Sequence, residues 1–374
     1  MNKNKVINHF KNLKYKSNFK VLKCFKLLFK VGLIKNIANY IIISIIILYI
    51  ISAIYFYCKE YKLLYNEIDE IITNKKNMKI NPTEYLNNKK PSNENTSNNK
   101  IPLNRNKKAN KNYYLFNSYT KINSDNSKNN FDNKIIKERY IKETQEQKEY
   151  DDYEMNSISY EEALKKDKRT YCQFYLSLIK VNHILIFTFF IKGDYNPRSI
   201  KICLFFFIFV LHMFINTLFF NDAIMHKIYE NKGILNFIDV LPQIIYSIII
   251  CSLINIIIKY LSLTQKNILE IKYENNLDNF ISKIINTMRC INKKFIIFFI
   301  FSFIFLIFSW YYLSCFCFVY NNTQIYLFKL ISISYTISFI YPFIIYLFPV
   351  IFRIASLRNL GKCFYKIGIF FKLL

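Results

Sequence analysis

Glycine is scarce, at 5 in 374 residues. Neither a P-loop nor a dinucleotide fingerprint can be found, since both need closely spaced glycines where backbone amides approach a phosphate. HExxH, GxSxG and protein-kinase signatures are also missing, which removes the commoner soluble hydrolase and kinase chemistries. The 4 histidines are too few and too scattered to supply a transition-metal centre together. The 9 cysteines contain no CxxC spacing, which argues against a zinc site or a disulfide framework. Acidic residues number 25 against 52 Lys and Arg, for a net charge of +27. Even so, RNP and zinc-finger patterns are absent and Lys far outnumbers Arg, so nucleic acid is not the expected partner. No cofactor is implied.

What fills the chain instead is apolar. The sequence is 52% hydrophobic and 18% aromatic, with 37 Phe, more than one soluble core of this length usually carries. The excess is concentrated in runs: Ile37–Cys58, Ile202–Phe220, Phe237–Ile258, Phe295–Val319 and Leu330–Phe352. At about 1.5 Å of rise per residue, about 20 apolar residues cross a hydrocarbon core of about 30 Å. The expected fold is all-α: a polytopic transmembrane helix bundle of five or six spans, with a disordered hydrophilic linker. The expected location is an integral, multi-pass one, in a plasma membrane or endomembrane.

Five segments follow. Residues 1–36 hold ten Lys and no acid, and Lys16, Lys20, Lys23, Lys26 and Lys30 fall on one side of a helical wheel. This reads as a basic amphipathic cytosolic segment that contacts anionic lipid headgroups. Residues 37–58 read as a transmembrane signal anchor. Residues 59–170 form a hydrophilic linker, low in complexity over its Asn- and Lys-rich part, that could engage a soluble protein partner. Residues 171–352 form the multi-pass helical membrane domain. Residues 353–374 form a basic amphipathic cytosolic tail in which Arg358, Lys362 and Lys366 recur at four-residue steps, again suited to anionic lipid. Cys24, Cys58 and Cys290 lie near expected membrane boundaries, where palmitoylation is open to them, although packed thiols are the commoner case.

Cys172–Ile191 is ambiguous, being apolar but interrupted by Lys180, Asn182 and His183. If it spans, every short loop obeys the positive-inside rule with both termini cytosolic, which favours six spans. Otherwise the lysine-rich N-terminus must lie on the outer side.

Ionisable groups within hydrocarbon are functional candidates by default. His212 and Asn216 lie one turn apart in their span, Asp239 opens the next helix, and the joining loop adds Asp222, His226 and Glu230. Together they make a candidate cation or proton site at the outer mouth, weighed against a hydrogen-bond cluster that merely fixes the hairpin.

The phrases FFNDAIMHKIYENKGILNFIDVLPQIIYS (219–247), IIKYLSLTQKNILEIK (257–272), WYYLSCFCFVYNNTQIYLFK (310–329) and YPFIIYLFPVIFRIASLR (341–358) resemble a multi-pass module recurring in protist membrane proteins. In that family it closes a chain whose preceding hydrophilic region is long and variable. The resemblance implies a polytopic membrane protein and supplies no catalytic residues. Asp239 departs from the aromatic or amide residue expected there, which shifts weight toward Asp222, His226 and Glu230. The expected role is transport or channel activity, with a membrane scaffold or tether as the alternative. A membrane-embedded lipid-modifying enzyme using His183 or His212 is a minor third.

Overall fold

The computed structural model describes residues 17–24, 36–80, 152–191, 194–232, 237–274 and 280–373. The described residues are helical, without strands. This follows from the solvent the sequence expects: in hydrocarbon every backbone amide and carbonyl must be paired within its own segment. A 3-10 turn at Phe19–Cys24 precedes α1 (Ile37–Tyr55), which passes through a π turn at Phe56–Glu60 into α2 (Tyr61–Ile80). Beyond the gap come α3 (Asp152–Met155), α4 (Tyr160–Lys166), α5 (Tyr171–Asn182) and α6 (Ile184–Phe189). The bundle continues with α7 (Arg198–Phe219), α8 (Asp222–Glu230), α9 (Phe237–Ser262), α10 (Gln265–Lys272) and α11 (Phe280–Val319). It closes with α12 (Gln324–Ile345), α13 (Leu347–Ala355) and α14 (Gly361–Leu373).

Among the described residues, five helices are long and apolar enough to cross a membrane: Ile37–Asn74, Arg198–Phe219, Leu241–Ser262, Phe280–Val319 and Asn321–Arg358. The central one is α7, which packs against α1, α6, α9, α11 and α12 and buries 17 of its 22 residues. The others turn Ile- and Phe-rich faces outward, with Ile51, Ile257, Ile304 and Ile344 all more than half exposed. Such surfaces are stable in lipid and would aggregate in water.

Cys172–Ile191 is not a continuous spanning helix. It forms helices of 12 and 6 residues that meet at His183, whose backbone is extended (φ −71°, ψ 113°). A capping box fixes the start of α5, where Thr170 and Gln173 pair reciprocally. Its end comes at Asn182, whose side chain turns back to the Leu178 carbonyl at 3.1 Å, competing with helix continuation. The six-span reading therefore gives way to five continuous crossings.

The five candidate spans alternate in direction, so the described N-terminal turn and the C-terminal helices lie at opposite ends of the bundle. At one, the Asn18 amide N–H donates to Leu218 O (2.8 Å), and its side chain donates to Phe220 O (3.1 Å) and the Tyr320 hydroxyl (2.9 Å). Asn18 thus satisfies carbonyls that the end of α7 leaves free. At the other end Ser199 N donates to Glu60 Oε2 (2.8 Å). There Asn196 Oδ1 accepts from Thr264 N (2.9 Å) and Gln265 N (3.2 Å), capping α10. Lys16, Lys26 and Lys30 of the basic N-terminal segment, and Asn95, which heads the possible glycosylation sequon Asn95-Thr96-Ser97, lie outside the described residues.

Both ends of the segment assigned to a linker are helical. Residues 59–80 extend α1 through the π turn and α2, and residues 152–170 dock beside α13 and α14. Arg353 holds them there, donating to Asp167 Oδ2 (2.8 Å) and Met155 O (2.8 Å). Arg169 forks onto the same carboxylate at 2.9 Å from both Nε and Nη2. Phe174 stacks under both guanidinium groups, at 4.9 and 4.7 Å. Burial pushes the Asp167 carboxyl upward, but the hydrogen bonds and charges of Arg169 and Arg353 outweigh it and hold it below the usual range. After Arg358 the tail turns at Gly361, whose φ of +76° suits a residue without a Cβ. α14 then folds back along α13, with Gly368 packed against the Pro349 carbonyl.

Candidate functional site

A cavity of about 530 Å³ lies between the α5–α6 break and helices α7, α9, α10, α11 and α12. Its mouth is at the Glu60 end, among Gln265, Lys266, Glu270 and Lys294. Its deepest lining is His212 of α7 and Tyr335 of α12, both near mid-helix. Residues of the Asn18 end, such as Phe220 and Tyr320, do not line it. The lining thus runs from the Glu60 end of the bundle to about its middle.

Polar groups line it where lipid-facing helices would carry none. Ser252, Asn255 and Lys259 lie three and four residues apart on α9, which places them on one face. Ser252 Oγ and the Tyr341 hydroxyl are 3.1 Å apart. Lys259 Nζ reaches the carbonyl of Asn182, the last residue of α5, at 3.4 Å. His183 Nε2 faces Phe339 O at 3.0 Å. That contact requires the proton on Nε2 and leaves Nδ1 a bare acceptor in the neutral ring. Four buried polar atoms here, His183 Nδ1, His212 Nδ1, Asn255 Oδ1 and the Tyr335 hydroxyl, have no hydrogen-bond partner among the described residues. A polar lining of this kind suits water or a polar solute.

The residues expected at the outer mouth are not gathered into one site. His226 and Glu230 pair with each other at 3.3 Å on the exposed face of α8. Asp222 accepts from the Tyr320 hydroxyl, which burial and the adjoining carboxylate push up to about 12, so Tyr320 remains the donor. Asn216 donates to His212 O (2.7 Å) and accepts from Ser334 Oγ (2.8 Å), tying α7 to α12. The helical start of α9 holds Asp239, whose side chain lies outside the described residues. Among the described residues no group of three or more His, Cys, Asp and Glu could hold a metal ion. Of the residues singled out from the sequence, His212 lines the cavity, and so does His183.

Asn255, Lys259 and Lys294 were passed over because Asn255 sits in an unbroken Ile run and both lysines read as boundary charges. The signal was present as the three- and four-residue spacing of Ser252, Asn255 and Lys259. For Asn216, replacement by Leu is expected to strand Ser334 and lower thermal stability by about 1 kcal/mol, the usual worth of an interhelical hydrogen bond in lipid. A melt of the purified protein reads this directly, and an unchanged midpoint would show that the pair carries no weight.

The chain is a multi-pass membrane protein by its five apolar helices. Comparison with protein-family models, curated proteins and solved structures finds no match for it.

Proposed function

We propose that this protein moves a small polar solute across its membrane, with the cavity as the binding chamber of a carrier open toward the Glu60 end. The observation that supports this is the set of four unpartnered polar atoms in a chamber reaching mid-bundle, since polar groups in hydrocarbon are costly and tend to line solute paths. A carrier further requires a second state open toward the Asn18 end. The test is thiol labelling in a background whose exposed cysteines, Cys58, Cys172, Cys290 and Cys363, are serine. Asn255→Cys should react with the anionic reagent MTSES from both faces of sealed vesicles, faster from the Glu60 side. Ile249→Cys, on the exposed face of α9, should not react. Labelling from one face alone would leave a receptor pocket and sink the transport reading.

A second reading, a membrane tether, is favoured by one observation. The segment assigned to a linker leaves and re-enters at the same end of the bundle, and its return is clasped by Arg353. Such a loop would present a partner site on one face only. In that reading Lys20, Lys23, Arg358 and Lys366, all exposed, would meet anionic lipid, while Lys362 is occupied by Glu161 at 2.6 Å. Replacing residues 81–151 with a neutral flexible sequence abolishes a tether and spares a carrier.

A further inference from the structure

The same cavity carries a charge imbalance that identifies its occupant. Buried and half-buried cations elsewhere in the described residues each meet an acid: Lys201 meets Asp194 at 2.5 Å, Lys272 meets Glu154 at 3.0 Å, Lys283 meets Glu274 at 2.5 Å, and Arg169 and Arg353 share Asp167. Two do not, and both line the cavity. Lys294 is 7% exposed; its ammonium donates to Asn267 Oδ1 (2.8 Å) and lies 4.1 Å from the centre of the Tyr260 ring. Lys259 is half-buried and has only the 3.4 Å contact with the Asn182 carbonyl, which leaves ammonium protons free. The one carboxylate in the lining, Glu270, is exposed, and it acts on Lys294 electrostatically without forming an ion pair. A cation that loses water to neutral groups alone gains no full countercharge, so a complementary anion would bind here with little further desolvation to overcome.

Three lysines against one carboxylate leave about two positive charges, the match for a phosphate monoester of about −1.5 to −2. Lysine pairs are a common means of holding phosphate as point charges. Deeper in, the unpartnered atoms include two acceptors, Asn255 Oδ1 and His183 Nδ1. Asn255 lies one helical turn, about 6 Å, inside Lys259. A ligand that satisfies both ends therefore carries an anionic group at one end and hydrogen-bond donors about one turn away. The volume of about 530 Å³ admits an organic molecule and greatly exceeds a lone inorganic ion.

We propose that the cavity binds a hydroxyl-bearing phosphate ester, its phosphate on Lys259 and Lys294 and its hydroxyls on Asn255 and His183. This deepens the carrier reading by naming the solute's chemistry, and its test needs binding rather than passage. The ester has two natural forms, a free sugar phosphate and a phosphoinositol lipid headgroup.

The experiment is calorimetric titration of the full chain in phosphatidylcholine nanodiscs with glucose 6-phosphate, with glucose and inorganic phosphate as partial ligands. Saturable binding of the ester, tighter than either part, is expected. Lys259→Gln should weaken it about tenfold or more, the worth of one charge-assisted hydrogen bond, while Lys362→Gln, outside the cavity, leaves it unchanged. If Lys259→Gln does not fold, Lys294→Gln and Asn255→Leu take its place. A parallel arm adds phosphatidylinositol 4-phosphate, whose ring phosphate is a monoester, to the nanodiscs. Loss of glucose 6-phosphate binding there, or phosphatidylinositol 4-phosphate retained by the wild type and lost in the variant, assigns the lipid form. No binding of either ester, or binding indifferent to all three cavity substitutions, overturns the proposal. Labelling of Asn255→Cys from both faces would still leave the carrier reading standing in that case.

Discussion

Asp167→Ala should free residues 152–170 from the C-terminal helices and cost about 3–5 kcal/mol, the scale for removing one partner of a buried ion pair. The size of the effect comes from what stays behind. Arg353 is 5% exposed, and in the variant it would sit against Phe174 with no carboxylate, while Arg169 would keep only the carboxylate of Asp152, at 3.9 Å. Trypsin sites at Lys165, Lys166 and Lys168 should become readily cut, and the melting midpoint should fall. Adding Arg353→Met should restore much of the loss, because an apolar replacement for a whole buried pair is often neutral. If the single variant melts as the wild type does and resists trypsin equally, the clasp does not hold the segment. The pH dependence has a definite sign. The folded Asp167 carboxyl lies below its ordinary value of about 3.9, so its contribution is complete above that value. It is lost only as pH falls through the lower folded pKa. The docked segment should therefore resist trypsin throughout the neutral and mildly acid range, and release should follow carboxylate protonation below about pH 4.

The spans were legible because length and hydropathy alone define them: nothing else makes Ile37–Tyr55 or Arg198–Phe219 stable as helices except burial in lipid or in one another. What could not be read was partner choice. Arg353 and Asp167 are 186 residues apart, and each alone resembles an ordinary boundary charge. The break at His183 was visible as polar residues in an apolar run, but the run's total length, about 20 residues, equals that of a span. Only the contact of His183 with Phe339 O and of Lys259 with the Asn182 carbonyl shows the two short helices turned toward α12 and α9. The described outer-mouth candidates have partners of their own: His226 and Glu230, at i and i+4, satisfy each other on one exposed face, and Asp222 accepts from Tyr320. Asn216 meets Ser334 of α12, a partner 118 residues away that no local pattern announces.

Tags at the two termini should lie on opposite sides of the membrane, and an epitope near Asn95 should lie on the same side as the C-terminus. The argument begins with geometry. Asn18 sits among Leu218, Phe220 and Tyr320 at one end, whereas Glu60 meets Ser199 and Arg353 meets Met155 at the other. Five crossings, an odd number, separate the termini. Charge then chooses the orientation. The Glu60 end carries Lys59, Lys62, Arg198, Lys201, the lysines and arginine from Lys259 to Lys294, and the tail's Arg358, Lys362 and Lys366. The Asn18 end carries Lys20, Lys23, Lys227, Lys232 and Lys329, and the segment preceding the first span holds eight further Lys. Positive residues flanking spans are retained on the cytosolic side, and the Glu60 end holds the larger share spread over more spans, so that end is expected to be cytosolic. Protease added to cells with a permeabilised surface membrane should cut an epitope at Asn95 and a C-terminal tag while sparing an N-terminal tag. The Asn95-Thr96-Ser97 sequon should stay unglycosylated, because glycosylation occurs only on the lumenal side. A glycosylated Asn95 with the termini still on opposite sides would invert the five-span orientation; N- and C-terminal tags cut together would require the α5–α6 segment to cross after all, as a helix broken at His183 over the cavity. The cavity would then be lined by a discontinuous span, the arrangement carriers use at their binding sites. The result thus decides the topology and also whether the His183 break forms a wall of the solute chamber or lies at its rim.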